Sequence, residues 1–151
     1  MRSVQRARDY PGSVSTAERL WYDPARWPSW VDGFGHVASI EGDWPRTGAR
    51  MVWDSPPRGR GRVVERVVAH QDGGGQTVEV EDERLEGSQR VAFEELEGGV
   101  GVTLTLTYRL REPKLWTPVV DLVFVRRALG DSLARTLVRF GRELAEDLEL
   151  G

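Results

Sequence analysis

The segment from residue 102 to residue 110 alternates between apolar and polar side chains without interruption. Threonine or arginine fills the intervening positions, and apolar residues occupy every second one: Val102, Leu104, Leu106, Tyr108 and Leu110. A period of two places these apolar residues on one face of a β-strand, and that face must be buried. The pattern therefore predicts an antiparallel sheet with one apolar and one solvated face.

Clusters of glycine and proline divide the region from Gly35 to Leu110 into segments of strand length. They fall at residues 42–45, 55–59, 72–75, 86–87 and 98–99. Short connections of this kind are typical of an antiparallel meander. We interpret the Arg58–Arg62 tract, which alternates arginine with glycine, as a flexible hairpin loop within this meander.

A first strand and two short helices precede the meander. Residues 3–9 are predicted as strand, and the Ser15–Glu18 segment has the form of a capping box that starts a helix. Asp23 followed by Pro24 predicts the start of a second short helix, which carries Trp27 and Trp30.

The last third of the chain is predicted to be helical. Thr117-Pro118 suits a helix start, and Gly130 is a position where the long helix could kink. Apolar residues recur every three or four positions and form a stripe: Leu129, Leu133, Leu137, Phe140, Leu144 and Leu148. One amphipathic helix is too narrow to cover the whole apolar face of such a sheet, which favours an internal cavity between them.

Composition narrows the possible functions. The 151 residues suit a single domain over 1–151, and the absence of cysteine excludes disulfides, thiolate zinc sites and cysteine nucleophiles. With two histidines we expect no metal site and no cofactor.

The net charge is −3, and residues 79–97 hold eight acidic against two basic residues, which argues against nucleic acid as a partner. The longest apolar run, at 122–125, cannot span a membrane, and we expect a cytoplasmic protein.

Several of these segments resemble the START-like (SRPBCC) superfamily. The Val14–Trp21 helix, Asp23 and the Trp27–Trp30 motif are similar to its opening, while Gly48 and the segment 101–110 are similar to its glycine before the third strand and its final strand. The similarity covers roughly residues 3–148 and is closest to the bacterial polyketide cyclase/dehydrase and lipid transport branch.

The resemblance implies a helix-grip (Bet v 1-like) fold of the α+β class. In that fold a curved antiparallel sheet of about seven strands wraps around a long C-terminal helix, and two short helices follow the first strand. The branch includes aromatase/cyclases, lipid and quinone carriers and hormone-type binders. It therefore implies a cavity without specifying a reaction, because fold does not fix function.

Ten residues are predicted to contact a ligand in that cavity. Tyr108 and Asp82 would fix a polar group of the ligand, and three residues spaced four apart on one helical face, Trp116, Val120 and Phe124, would form one wall. The complete set is Trp30, Trp53, Val80, Asp82, Phe93, Leu106, Tyr108, Trp116, Val120 and Phe124. Trp44 lies in a turn and is predicted to be at the surface.

The charged residues on the strands leave alternatives open. Asp82 shares the strand phase of Val78 and Val80, which places a carboxylate suited to proton transfer on the inward face. The alternatives are that it pairs with Arg84 or Arg66, or that a bulge turns it outward. In residues 62–70 valines occupy both phases, so either Glu65 or Arg66 lies on the less exposed side.

These observations support three hypotheses. The first is binding of a small hydrophobic molecule, lipid-, quinone- or polyketide-like, in the cavity. The second is a polyketide cyclase or dehydratase that uses the same cavity, with at least two inward ionisable groups close together and a Tyr, Arg or Asp that moves protons. The third is a non-enzymatic domain with a collapsed pocket. The oligomeric state stays open.

Overall fold

Seven antiparallel strands form one sheet in the computed structural model of the chain, which describes residues 1–112 and 117–150. The strands are β1 (Arg2–Pro11), β2 (His36–Glu41), β3 (Arg50–Asp54), β4 (Arg62–Gln71), β5 (Gly75–Glu81), β6 (Leu85–Leu96) and β7 (Gly99–Leu110). Their order in the sheet is β1-β7-β6-β5-β4-β3-β2. All neighbours but one are therefore consecutive in sequence, and the exception is the pairing of β1 with β7.

Helices lie at the two places where the sequence predicts them. Helix α1 (Val14–Trp21), a 3₁₀ turn (Pro24–Arg26) and α2 (Trp27–Trp30) connect β1 to β2. After β7 come α3 (Thr117–Val120), a π-helical turn (Asp121–Val125) and the long α4 (Arg126–Leu150). This is the helix-grip arrangement of the α+β class. No helix of the described segments is long and apolar enough to cross a membrane.

The alternation in β7 is confirmed. Leu104, Leu106 and Tyr108 are buried, and the threonines between them are only half-buried because β1 and β6 flank the strand on both sides. The phase of β5 is also as predicted, with Val78 and Val80 buried. Both strands thus present an apolar face to the interior.

The apolar stripe of α4 packs on that face. Leu133, Leu137, Phe140 and Leu144 are buried, whereas Leu148 near the end of the helix is 40% exposed. The helix continues through Gly130, where a Cβ atom would collide with the guanidinium of Arg6. A Cβ atom at Gly130 would also lie only 3.2 Å from the Val4 side chain of β1, so glycine suits this contact between helix and strand. The irregularity of the C-terminal helices lies instead at residues 121–125.

The π-helical turn corrects the predicted wall of the cavity. A helix with i→i+5 bonds no longer keeps residues four apart on one face. Phe124 is 67% exposed and Val120 is 36% exposed, while Asp121 is the buried residue of the turn. Trp116, the third residue of the predicted wall, lies outside the described residues. Val120 and Phe124 therefore point away from the core and do not form the wall that their spacing predicted.

The start of α1 also differs from the prediction. Ser13, not Ser15, caps the helix, and its hydroxyl accepts a hydrogen bond from the Thr16 N–H at 3.1 Å. Glu18 is consequently free to contact another element. The cap at Asp23 is confirmed, because its carboxylate accepts from the Ala25 N–H at 3.1 Å.

Candidate functional site

A cavity of about 70 Å³ lies between the apolar face of the sheet, the short N-terminal helices and α4. Aromatic side chains from α1, α2, β3 and the β2–β3 loop form much of its wall: Trp21, Trp27, Trp30, Trp44 and Trp53. Polar side chains from the β3–β4 loop and from β4, β5 and β6 also reach it: Arg60, Glu65, Gln76 and Gln89. The cavity is thus aromatic with a few polar groups, which is the usual composition of a small-molecule site.

The cavity tryptophans differ in whether their indole N–H has a partner. Trp27 donates to the Trp21 carbonyl at 2.8 Å, and Trp44 donates to the Tyr22 carbonyl at 3.0 Å. The indole nitrogens of Trp30 and Trp53 are buried and have no hydrogen-bond partner in the described part of the chain. Buried donors normally find an acceptor. Two unmatched donors in one cavity wall therefore favour a ligand that supplies an acceptor.

Glu65 is one of two carboxylic acids that line the cavity; the other is Asp32. It is 8% exposed, while Arg66 is exposed, so the choice between these two residues is settled in favour of Glu65. Burial raises the pKa of Glu65 to about 7, against the opposing influence of the Arg60 charge and the Trp53 indole. The Trp53 N–H is near enough to favour the carboxylate but does not form a hydrogen bond of ordinary geometry with it. A carboxyl group with this pKa can accept or release a proton near neutral pH.

Asp82 holds Arg60 at the cavity. The Arg60 Nε lies 2.7 Å from Asp82 Oδ2, and the guanidinium stacks over Trp53 at 5.4 Å from the ring centroid. The other carboxylate oxygen of Asp82 accepts from the N–H groups of Arg84 and Leu85 at 2.7 and 2.9 Å. Asp82 is therefore buried and faces inward, but its partner is the side chain of Arg60 and not that of Arg66 or Arg84. Asp82 does not line the cavity, and its carboxylate oxygens are occupied by Arg60 and two backbone N–H groups.

Asp32 lines the cavity and is bonded to side chains of α4. Its carboxylate accepts from the Ser132 hydroxyl at 2.6 Å and from Arg135 and Arg139 at 3.1 Å, and its N–H donates to Thr136 at 3.0 Å. Burial alone would raise the pKa of Asp32, but the hydrogen bonds from Arg135 and Ser132 outweigh it and hold the pKa below its usual value. The segment after α2 is thereby tied to α4 across the cavity.

Of the ten predicted ligand contacts, Trp30 and Trp53 line the cavity. Val80, Phe93 and Leu106 lie in the packed core around it. Tyr108 is fully buried, and its hydroxyl donates to Asp121 at 2.6 Å, so it is not available to fix a ligand. Asp121 in turn pairs with Arg2 at 2.7 Å, which joins β1, β7 and the π-helical turn.

The sequence prediction missed several residues of the site. Arg60 was placed in a flexible loop, and Trp44 was expected at the surface, yet Trp44 is only partly exposed and packs against the core. Both predictions failed for the same reason: Arg60 and Trp44 lie in loops, and local sequence does not show how a loop folds back on a sheet. For Arg60 a signal did exist, because an inward Asp82 requires a cationic partner from a neighbouring element.

Comparison with known proteins agrees with this architecture. The sequence matches the family described as "Polyketide cyclase / dehydrase and lipid transport" over residues 1–145. No curated protein matches it.

Solved structures share the fold at low sequence identity. A protein from Thermus thermophilus has a TM-score of 0.75 at 18% identity, with 97% of this chain and 99% of the other covered. A START superfamily protein from Mycobacterium smegmatis has a TM-score of 0.73 at 13% identity, with 95% and 97% covered. A norcoclaurine synthase point mutant from Thalictrum flavum, in complex with a transition-state analogue, has a TM-score of 0.69 at 9% identity, with 97% and 95% covered.

At these identities the structural similarity shows a common fold alone. The family match rests on the sequence and spans nearly the whole chain. The family description and the shared fold support a fold that binds hydrophobic ligands. The chain belongs to the polyketide cyclase/dehydrase and lipid transport family.

Proposed function

We propose that the protein binds a hydrophobic molecule that carries a carbonyl group, with the carbonyl held among Trp30, Trp53 and Arg60. The observation that carries this proposal is the buried Trp30 indole N–H, which has no acceptor in the described residues, together with the Trp53 N–H, which forms no ordinary hydrogen bond with the nearby Glu65. Asp82 uses the Arg60 Nε, which leaves the two terminal nitrogens of the guanidinium as further donors. A carbonyl oxygen accepts from such donors and carries no charge into the apolar cavity.

Cavity size limits what this site holds as it stands. A cavity of roughly 150 Å³ takes up benzene, so about 70 Å³ suits only the end of a molecule or a very small one. A lipid- or polyketide-sized ligand would therefore place its carbonyl end in the cavity. The rest would leave past Asp32, once the hydrogen bonds between Asp32 and α4 open.

A ketone and its hydrocarbon analogue test the proposal. Cyclopentanone and methylenecyclopentane have similar shapes and can each place the exocyclic end in the small cavity, but only the ketone accepts hydrogen bonds. We expect cyclopentanone to bind about tenfold more tightly, because two neutral hydrogen bonds are worth about 1–2 kcal/mol in all. Two-dimensional NMR of the indole N–H groups would measure both affinities, and the signals of Trp30 and Trp53 should move most.

Two variants that each remove one indole N–H extend the test: Trp53→Phe is the test variant, and Trp27→Phe is its matched control. Trp53→Phe should reduce the preference for the ketone by about threefold. Trp27→Phe should leave the preference unchanged, because that N–H is already used by the Trp21 carbonyl. Equal affinities of the wild-type protein for the two compounds would contradict the proposal.

A second candidate function is proton transfer at the same site, as in a cyclase. The specific observation is Glu65, a buried carboxyl group in the cavity whose pKa of about 7 suits general base catalysis. Arg60, which shares the cavity, would stabilise the negative charge that develops on a carbonyl oxygen when a neighbouring C–H loses its proton.

Hydrogen–deuterium exchange tests this second function. We expect the protein to accelerate exchange of the protons next to the cyclopentanone carbonyl in D₂O, measured by NMR after subtraction of the uncatalysed rate. The catalysed rate should rise as pH increases through about 7, because the carboxylate of Glu65, whose pKa is about 7, is the base and the protonated acid is inactive.

Two glutamate-to-glutamine variants test whether Glu65 is the base. Glu65→Gln should abolish the catalysed exchange while the ketone still binds. Glu79→Gln, on the exposed face of β5, should have no effect. Binding without catalysed exchange in the wild-type protein would leave the carrier function alone.

A further inference from the structure

Three side chains with metal-binding groups meet where the β4–β5 hairpin touches α1. Glu18 comes from α1, His70 from the end of β4 and Asp72 from the hairpin turn. One ligand atom from each lies within 4.8 Å of the other two. The fold thus brings together residues more than 50 positions apart in sequence, and none of the three lines the cavity.

His70 is the buried member of this cluster. Its side chain is 8% exposed, and its Nε2 is buried without a hydrogen-bond partner in the described residues, with Asp72 Oδ1 3.7 Å away. Tyr22 packs its ring edge-on against the imidazole at 5.4 Å and restricts the orientation of the ring. An unpaired buried nitrogen is costly to leave in a folded protein, so it indicates a group that the site is built to receive.

Tyr22 adds an unpaired oxygen close by. Its hydroxyl is buried and has no hydrogen-bond partner in the described part of the chain. Burial raises the pKa of Tyr22 above its usual value, and the charges of Glu18 and Asp72 raise it further, so the hydroxyl feels both carboxylates. The unpaired Tyr22 hydroxyl and the unpaired His70 Nε2 thus belong to two side chains that contact each other.

Glu18 is held in place by the hairpin. One of its carboxylate oxygens accepts from the Gly73 N–H at 2.9 Å, which leaves the other oxygen for a second partner. The side chain of Asp72 is 86% exposed, so the region is accessible from solvent on that side. Such a hydrogen bond to a carboxylate is the usual way in which a metal ligand is oriented.

We propose that Glu18, His70 and Asp72 bind a divalent transition-metal ion such as Zn²⁺. Zinc is bound by imidazole nitrogen and carboxylate oxygen at about 2.0–2.2 Å, so ligand atoms around a tetrahedral ion lie about 3.4 Å apart. Atoms already within 4.8 Å reach this spacing by small side-chain movements. The imidazole disfavours Ca²⁺ and Mg²⁺, which prefer oxygen ligands alone.

Three protein ligands leave a fourth zinc position for water. The ion would cross-link α1 to the β4–β5 hairpin, two elements that also contribute Trp21 and Gln76 to the cavity wall. The protein–ion complex should therefore unfold at a higher temperature than the metal-free protein.

Metal titration of the chelator-treated protein tests the proposal. We expect one Zn²⁺ per chain by calorimetry, with a dissociation constant in the micromolar range, and a rise in the melting temperature in the presence of Zn²⁺. Co²⁺ should give visible absorption of the intensity typical of four-coordinate cobalt. His70→Ala should weaken binding at least tenfold and remove the shift in melting temperature.

The other histidine provides a matched control. His36 also lies near a carboxylate, with its Nε2 3.3 Å from Asp54 Oδ2, but its side chain is 73% exposed and belongs to the edge strand β2. His36→Ala should leave zinc binding unchanged. Asp72→Asn, at an exposed turn, tests the site by a change that leaves the core intact and should weaken binding several-fold.

Three results would overturn the proposal. They are no stoichiometric binding by the wild-type protein at 1:1, equal affinity of the wild-type and His70→Ala proteins, or loss of binding in His36→Ala. The first would show that the buried His70 nitrogen is satisfied in another way, and the other two would place the ion elsewhere on the surface.

Discussion

Phe140→Ala should lower the free energy of unfolding by about 3–5 kcal/mol, the range for a buried phenylalanine truncated to alanine. Phe140 is fully buried in the middle of α4. Its ring contacts Tyr10, Trp21 and Trp30, with centroid distances of 5.5, 5.1 and 5.0 Å, so it joins β1, α1 and α2 to the helix. Its loss would remove apolar contacts from three elements at once and leave a hole that these aromatic neighbours cannot fill.

The matched control is the same substitution at Phe124. That side chain is 67% exposed, so Phe124→Ala should change stability by less than about 0.5 kcal/mol. Urea denaturation of both variants would measure the difference. Equal midpoints would show that residues 121–125 pack against the sheet, as the four-residue spacing had predicted, and not in the π-helical turn that the structure contains.

Asp82→Ala should cost about 2–4 kcal/mol of stability. The variant loses a buried partner of Arg60 and leaves the Arg84 and Leu85 N–H groups without their acceptor. Removing one partner of a fully buried ion pair costs more stability than this, but the Arg60 side chain is 33% exposed and water can partly replace its lost partner.

Two further variants divide this effect into its parts. Asp82→Asn keeps an acceptor for the backbone N–H groups and should cost about 1–2 kcal/mol, which isolates the ion pair. Asp43→Ala breaks an exposed pair, with Arg46 at 3.2 Å, and should cost less than about 1 kcal/mol. Thermal or chemical denaturation would measure all three, and a similar loss for Asp43→Ala and Asp82→Ala would contradict the structural role of Asp82.

The parts of the fold that follow one clear period could be predicted from sequence. In β7 and β5 a single face is buried, so the alternation of side chains gives both the strand and its orientation. In the same way, the apolar stripe of α4 predicts both the helix and the face that it buries. In β4 valines occupy both phases, so the inward position of Glu65 depends on the pairing of β4 with β3 and β5, which no local pattern contains.

The candidate site was less predictable because its polar groups come from loops and irregular elements. Arg60 reaches the cavity from a loop rich in glycine and is fixed there by Asp82, a residue 22 positions away. A change of hydrogen-bond spacing in residues 121–125 turns Phe124 outward and Asp121 inward, which a regular helical period cannot anticipate. The Glu18–His70–Asp72 cluster likewise depends on the contact of a hairpin with a distant helix.

The pairing of β1 with β7 has a consequence for how the chain is made. Paired residues such as Val4 and Leu106 are about 100 positions apart, while the other strands pair with their neighbours in sequence. A ribosome adds roughly 5–20 residues per second, so β1 waits about 5–20 s for its partner to be translated. Arginines at positions 2, 6 and 8 keep the waiting strand charged, which discourages it from joining the strand of another nascent chain.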